Sequence, residues 1–302
     1  MTFSIVIHGG AGSVKKSETT PQQEQDYLNG LEAALEAGCR LLESGKSALE
    51  AVEAAVSALE DNPLFNAGRG SEFTASGTHE MDAAVMCGKT LNAGAVSAVT
   101  GVRNPVQLAR QVLEASESVF LTGSGAMDFA RQKNLPFEED TYFYTEKRYK
   151  EWQEAKEQEA KTVVKDTVGA VAMDIYGNLA TATSTGGLAN KTSGRVGDTP
   201  SIGAGTYANN ATCAVSCTGD GEYFIRLVSA YDLSCLIEYK GLTLPEACNI
   251  VIKEKLTALG GEGGLIAIDR HGNLQMVSNC ESMLRAWRDS SGLRGSAIWD
   301  NQ

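Results

Sequence analysis

Hydrophobic residues recur along this chain with two different periods, and the changes between them mark out its elements. Residues 3–8 (FSIVIH) form an apolar run of strand length that ends in Gly9-Gly10-Ala11-Gly12, which predicts a buried strand leaving through a flexible exit. Residues 22–44 then place Leu28, Leu31, Ala34, Leu35, Cys39 and Leu42 at helical spacing, and residues 47–60 do the same with Leu49, Val52, Val56 and Leu59. Small and apolar residues alternate over 80–99, as in paired strands. Residues 105–115 and 125–133 read as helices around a short strand, Val119-Phe120-Leu121.

Over residues 146–165 the pattern lapses. The segment EKRYKEWQEAKEQEAKTVVK is highly charged and nearly free of large aliphatics before Val163, which marks a mobile linker or a solvated helix; residues 146–166 are assigned as linker. Short strands follow, at 168–174 with 178–184, at 212–218, and at 264–269 with 273–278. Two of the turns share Asp-x-x-Gly-Asn-Leu, at 174–179 and 269–274, whose glycine and asparagine tolerate positive φ. Helices are expected at 221–240 and 243–259. Strand runs interleaved with helix pairs, the strands carrying small residues on both faces, predict an α+β fold of two stacked sheets covered by helices on both sides.

Composition narrows the classes. The chain has 302 residues, 42% of them hydrophobic and 21% charged, which suits one large globular domain. A net charge of -12 excludes nucleic acid and anionic membrane as partners, because either needs a basic face, and points to a small-molecule ligand. Seven cysteines, odd in number and set mostly in apolar runs with no CxxC pair or Cys/His metal spacing, read as reduced core thiols. The N-terminal residues show no basic region before a long apolar one, and no window approaches about 18 apolar residues, so the expectation is a soluble, cytoplasmic protein. Ser44-Gly45-Lys46-Ser47 has the tail of a phosphate-binding loop but lacks its earlier glycine and preceding strand. Gly123-Ser124-Gly125 lacks the full dinucleotide fingerprint. Neither is retained. No GxSxG elbow is present for a serine hydrolase.

The stretch with chemistry in it is 166–187, DTVGAVAMDIYGNLATATSTGG, where a threonine heads a small-residue strand. If the bond between Asp166 and Thr167 is cut, Thr167 becomes a chain terminus bearing both a hydroxyl nucleophile and an α-amine of pKa roughly 7.7 to 8.0, fit to act as its general base. Alone, a β-branched residue opening a strand reflects only strand propensity. Three clusters surround it. Gly194-Arg195-Val196-Gly197-Asp198 sets a guanidinium and a carboxylate three residues apart, suited to the head of an α-amino acid, although the same pair also makes ordinary surface ion pairs. Residues 216–222, SCTGDGE, run from a strand end through glycines into a helix, the make-up of an oxyanion hole or of a plain strand-to-helix turn. Residues 59–70, LEDNPLFNAGRG, form a polar turn off the second helix from which Asn66 reaches inward.

Together these pieces resemble the plant-type L-asparaginase and isoaspartyl aminopeptidase family of N-terminal threonine hydrolases. The resemblance runs nearly end to end: HGGAG at 8–12, PLFNAG at 63–68, TVGAVA at 167–172, ATSTGG at 182–187, NKTSGRVGDTP at 190–200, GAGTYANN at 203–210, SCTGDGE at 216–222 and RAW at 285–287. It implies a four-layer αββα sandwich in one domain over 1–302. The precursor would cleave itself into 1–166 and 167–302 and assemble as a homodimer of cleaved protomers. Residue by residue it implies Thr167 as nucleophile, Thr185 tuning its hydroxyl and amine, and Asn66 orienting it. Thr218 and Gly219 would stabilise the oxyanion, Arg195 and Asp198 would bind the substrate's α-carboxylate and α-amine, and Gly187 would line the site near the free amine. No catalytic cofactor is implied. A structural sodium ion is, held by backbone carbonyls of Leu59, Glu60, Asn62, Phe65, Ala67 and Arg69.

One residue departs from the pattern. Plant-type members usually carry glycine before the threonine, whereas Asp166 stands here, as in glycosylasparaginases and the threonine aspartase. An aspartate must tolerate the twisted backbone that glycine would ease, or serve as a local acid or base. The expected activity is hydrolysis of isoaspartyl dipeptides or L-asparagine through a β-aspartyl ester on Thr167. The alternatives are a glycosylasparaginase-type amidohydrolase and an uncleaved, non-catalytic homologue.

Overall fold

The computed structural model describes residues 2–157 and 166–299. Its elements in the first half are β1 (Ser4–Ala11), α1 (Pro21–Glu43), α2 (Ala48–Glu60), β2 (Met81–Cys87), β3 (Ala93–Val99), α3 (Pro105–Ala115), β4 (Phe120–Thr122), α4 (Gly123–Gln132), α5 (Asp140–Phe143) and α6 (Glu146–Glu157). The second half adds β5 (Val168–Met173), β6 (Leu179–Thr185), β7 (Thr206–Ala208), β8 (Cys213–Gly219), α7 (Gly221–Leu227), α8 (Ser229–Lys240), α9 (Leu244–Asn249), β9 (Gly263–Asp269), β10 (Leu274–Ser278), β11 (Ser282–Asp289) and β12 (Arg294–Trp299). After α9 the chain continues helically over Ile250–Leu256 with wider π-type winding.

Two helix starts are written in the sequence. Thr20 with Gln23, and Ser47 with Glu50, form capping boxes that satisfy the first free N–H groups of α1 and α2. Ser47, in the segment that mimics a phosphate loop, is therefore a helix cap.

The strands form an eight-stranded sheet in the order β12-β11-β1-β5-β6-β2-β3-β4 and a four-stranded sheet in the order β10-β9-β8-β7. Side-chain alternation gives each sheet two apolar faces. Ile5 and Ile7 of β1 and Val168, Ala170 and Ala172 of β5 pack beneath α1, α2 and α3; Val6, Val171 and Met173 point the other way, against Ala214, Ile266 and Ile268 of the second sheet. The outer face of that sheet, Cys213, Val215, Cys217 and Leu265, is covered by α8, α9 and the winding after it. The layers are thus helix, sheet, sheet and helix, the expected α+β sandwich. Each buried aliphatic side chain contributes about 1.5 to 3 kcal/mol, so the three apolar interfaces carry most of the fold.

The differences from expectation have local causes. The helix expected over 221–240 is two helices, because Val228 takes a left-handed conformation at φ 51 between them. Strands β7, β11 and β12 were not expected from the sequence; β7 has three residues, β12 lies at the sheet edge, and β11 lies between β12 and β1. Residues 146–157, assigned to the linker, are α6, and this helix is anchored: Arg148 is fully buried, with Nε donating to the Gly70 carbonyl at 2.8 Å and Nη1 to Glu72 at 2.6 Å. The rest of that assignment up to 165 lies outside the described residues. The seven cysteines all stand as thiols outside any disulfide, four buried and three half-buried. Among the described residues no helix is long and apolar enough to cross a membrane.

Candidate active site

The interface between the two sheets is mostly apolar, but toward the ends of β5, β6 and β8 it turns polar. The cause is period two. Thr181, Thr183 and Thr185 lie on the inward face of β6, Ser216 and Thr218 on that of β8, and His8 follows Val6 on that of β1. Thr167, one residue before β5, continues the row of Gly169 and Val171 into the same space. Only glycine fits at 169, since a Cβ there would collide with Ser216 Oγ and His8 Nε2.

The Asp166 carbonyl, which belongs to the bond before Thr167, accepts hydrogen bonds from Asn66 Nδ2 at 2.9 Å and from Thr185 Oγ1 at 3.0 Å. Thr167 Oγ1 donates to Thr185 Oγ1 at 3.3 Å, and the Gly187 N–H donates to the same hydroxyl at 3.0 Å. Asn66 gives its second amide hydrogen to the Gly187 carbonyl at 2.7 Å and accepts from the Glu72 N–H at 3.0 Å. Glu72 is the partner of Arg148, so α6 braces the loop that carries Asn66.

Behind Thr167 lies a directed chain. His8 Nδ1 is 2.9 Å from the Thr167 carbonyl, an atom that only accepts, so Nδ1 carries the hydrogen and Nε2 accepts from Ser216 Oγ at 2.8 Å. Thr183 lies 2.8 Å from Ser216, and Thr206 donates to Thr183 at 2.7 Å. Burial pushes the His8 pKa down to about 3, against the opposing carbonyl contact, so the ring is neutral at ordinary pH. These groups all fall within the motifs quoted above, at 8–12, 182–187, 203–210 and 216–222, but the sequence assigned none of them a role.

Across the cleft, Asp166, Thr167, Thr185, Gly187, Arg195, Asp198 and Gly219 line one small cavity, together with Leu188, Gly197 and Thr199. Thr218 is buried beside it and its hydroxyl has no hydrogen-bond partner; the same holds for Asp198 Oδ2 and Thr199 Oγ1. Buried polar atoms are seldom left unpaired, and three such atoms at one cavity mark where a ligand's polar groups would go. Burial pushes the Asp198 carboxyl up to about 7, with the Arg195 charge pulling against it. Arg195 is tied by Nε and Nη2 to the two oxygens of Glu222, each at 2.9 Å. That pairing occupies one edge of the guanidinium, and no feature of the sequence pointed to Glu222 as its partner.

The carbonyl loop after α2 fits a hard cation. The carbonyls of Leu59, Asn62, Phe65 and Ala67 each accept one backbone N–H, at 3.2, 3.3, 3.0 and 3.1 Å, and keep a second lone pair. A Cβ at Gly70 would run into the Phe65 carbonyl and lie 2.8 Å from that of Pro63, so oxygens crowd a space that only glycine leaves open. Among the described residues no group of His, Cys, Asp and Glu side chains could hold a metal.

Comparison with known proteins agrees with this geometry. The family model described as asparaginase matches residues 1–298. The chain belongs to the asparaginase family. An isoaspartyl peptidase of Escherichia coli K12 is 51% identical, over 94% of this chain and 92% of that one. A plant-type L-asparaginase of Pyrococcus abyssi is 43% identical over 94% and 95%, and a probable isoaspartyl peptidase/L-asparaginase of Arabidopsis thaliana 40% over 99% of both. As a member of that family the protein is a hydrolase with the N-terminal nucleophile fold.

Proposed function

We propose that the protein cuts its own chain before Thr167 and then hydrolyses β-aspartyl amides, isoaspartyl dipeptides and L-asparagine, with Thr167 as nucleophile. The observation that carries this is the double hydrogen bond from Asn66 and Thr185 to the Asp166 carbonyl. In the uncut chain Thr167 Oγ attacks that carbonyl carbon. Charge developing on the oxygen meets two fixed donors, the C–N bond breaks, and the Thr167 nitrogen takes up the hydroxyl proton. Water then cleaves the ester, leaving a carboxylate on Asp166 and a free amine on Thr167.

In turnover the amine takes the hydroxyl proton, Oγ attacks the substrate's β-carbonyl, the C–N bond breaks and the leaving amine or ammonia receives the proton. Water, deprotonated by the same amine, then hydrolyses the β-aspartyl ester, releasing aspartate and restoring the Thr167 hydroxyl. The unpaired Thr218 hydroxyl and the Gly219 backbone are placed for that second oxyanion. Arg195, with the edge that Glu222 leaves, pairs with the α-carboxylate and Asp198 with the α-ammonium. This grip requires both α-groups to be free, so the amide attacked is the side-chain one. The backbone carbonyls of Leu59, Glu60, Asn62, Phe65, Ala67 and Arg69 would hold a structural sodium ion, which would supply rigidity to the turn that carries Asn66. Assembly as a homodimer fits the exposed apolar residues Val228, just before α8, and Tyr231 and Tyr239 on it, and a cytoplasmic location fits the reduced thiols. The test is intact mass after purification, followed by assay on an isoaspartyl dipeptide and L-asparagine. Fragments meeting at Asp166 and Thr167 and release of aspartate are expected; a chain that stays whole and inactive sinks the reading.

A further inference from the structure

The loop over 194–198 that carries Arg195 and Asp198 has no helix or strand of its own, so something must fix it. Two carboxylates at the start of β2 lie against it. The Gly194 N–H donates to Glu80 Oε2 at 2.7 Å, and the Ala98 N–H donates to Asp82 Oδ1 at 2.8 Å, while Asp82 Oδ2 has no hydrogen-bond partner. Burial raises the Asp82 pKa, and the charges of Lys191 and Arg195 and the nearby Gly197 N–H oppose that rise. Lys191 Nζ donates to the Glu80 carbonyl at 2.6 Å and lies directly under Gly187, where a Cβ would be 2.7 Å from it. Asp82 is fully buried and Lys191 is 5% exposed, whereas an ordinary surface pair is wet. Asp82 also stands opposite Thr185 in the β2–β6 ladder, so Thr167, Thr185 and Asp82 form one row across three strands. When ionised, Asp82 attracts both Lys191 and Arg195, two cations that repel each other.

We propose that Asp82 and Lys191 are positioning residues for substrate recognition: this buried pair seats the 194–198 loop on β2 and so sets where Arg195 meets the substrate's α-carboxylate. The proposal rests on the reading of Arg195 given above. Asp82→Asn alone leaves a buried lysine without its counter-charge and risks the fold, so it is paired with Asp82→Asn/Lys191→Met, which removes both charges at similar volume.

Each cleaved enzyme is assayed on an isoaspartyl dipeptide and on the same dipeptide with its aspartyl α-carboxylate amidated. The double variant is expected to raise KM for the free carboxylate about tenfold with kcat falling less than about twofold, and to treat the amidated substrate within about twofold of the parent. Equal losses on both substrates, or a fall confined to kcat, overturn the proposal, because that is what a merely structural role gives. Failure of the double variant to fold and cleave also counts against it. Arg195→Lys is run alongside. If it too loses equally on both substrates, the reading of Arg195 fails; if it discriminates between them while the double variant does not, only the Asp82 and Lys191 assignment falls.

Discussion

The cleft bounded by residues 241–245 and 269–275 encloses about 1060 Å³, whereas the cavity around Thr167 holds about 10 Å³, room for roughly one water. In the large cleft two of the three lining acids, Asp269 and Asp289, are already spent on their own turns. Asp269 Oδ1 accepts from the N–H groups of His271 and Asn273 at 2.8 and 3.0 Å, and Asp289 Oδ1 from those of Ser291 and Leu293 at 2.8 and 3.1 Å. In the small one, Thr218, Asp198 and Thr199 keep unpaired polar atoms. Chemistry follows the unspent groups and not the volume. Asp166 lines the small cavity in the uncut chain; under the proposed self-cleavage that residue would leave and make space for substrate.

The largest expected effect breaks this contrast outright. Thr167→Ala removes the attacking hydroxyl of both self-cleavage and turnover, so the chain should stay at full length and lose at least about 10⁴-fold in activity. Arg270→Ala in the large cleft should change neither mass nor rate by more than about twofold. A Thr167→Ala chain that still splits before residue 167 would show the assignment to be wrong.

Next in size is Arg195→Lys. Charged hydrogen bonds to a desolvated carboxylate contribute on the order of 1.5 to 3 kcal/mol, and lysine cannot present two parallel donors while held by Glu222. Maturation should proceed, since self-cleavage involves no free substrate carboxylate, and kcat/KM should fall roughly ten- to a hundredfold. Loss of self-cleavage in this variant would mean that Arg195 acts on the precursor and not on the substrate.

Both effects rest on residues that are legible in the amino-acid sequence itself, and the reason is physical. Thr167, Arg195, Asp198 and Thr218 stand in short glycine-punctuated motifs, where the backbone requirement and the chemistry coincide. Asp82 and Arg148 are not legible in that way, and Glu222, though it ends the motif that carries Thr218, gives no sign in the sequence that it holds Arg195. Asp82 is one polar residue in a small-residue strand, its burial set by a register with β6 that sequence alone does not give. Arg148 sits in a run of charges that reads as solvated, and its burial depends on the Gly70 carbonyl and Glu72, more than seventy positions away. For the fold, helices with capping boxes and hairpins with Gly-Asn turns are readable, while β11 and the edge strand β12 depend on pairing with β1 and with each other.

A smaller effect concerns pH. Asp198 must be ionised to pair with an ammonium group, yet burial raises its carboxyl to about 7. Below that pH Asp198 should therefore add a fall in kcat/KM of about tenfold per unit to the one that protonation of the Thr167 amine gives, and Asp198→Asn should remove that added part along with most of the activity. The sign for stability is opposite. A carboxyl raised on folding contributes stability that is fully present below its unfolded pKa of about 3.9 and is lost as pH rises through the folded value, so Asp198→Asn should stabilise the protein at pH 8 more than at pH 5. A kcat/KM profile flat from pH 5 to 8 in the parent would remove Asp198 from ammonium binding.

The smallest effect tests why an aspartate precedes the nucleophile. Asp166 is buried, its Oδ1 has no partner, and the backbone of Gly10, at φ +123, packs directly against its carboxyl group. Burial raises its pKa, with the Arg148 charge opposing, so the side chain is held at some cost in the very cavity that must open. Asp166→Gly removes that cost and relaxes the backbone next to the scissile carbonyl, while the donors from Asn66 and Thr185 address only the main chain and stay in place. Self-cleavage followed by intact mass should continue at the parental rate or up to about tenfold faster, a change of at most about 1.4 kcal/mol in the barrier. Turnover by the cleaved enzyme should not change, because residue 166 is then the end of a separate chain. A complete block of cleavage would show instead that the Asp166 carboxyl takes part in the chemistry, accepting or returning the Thr167 proton, and that the small cavity is filled in the precursor by a reacting group and not by an obstacle.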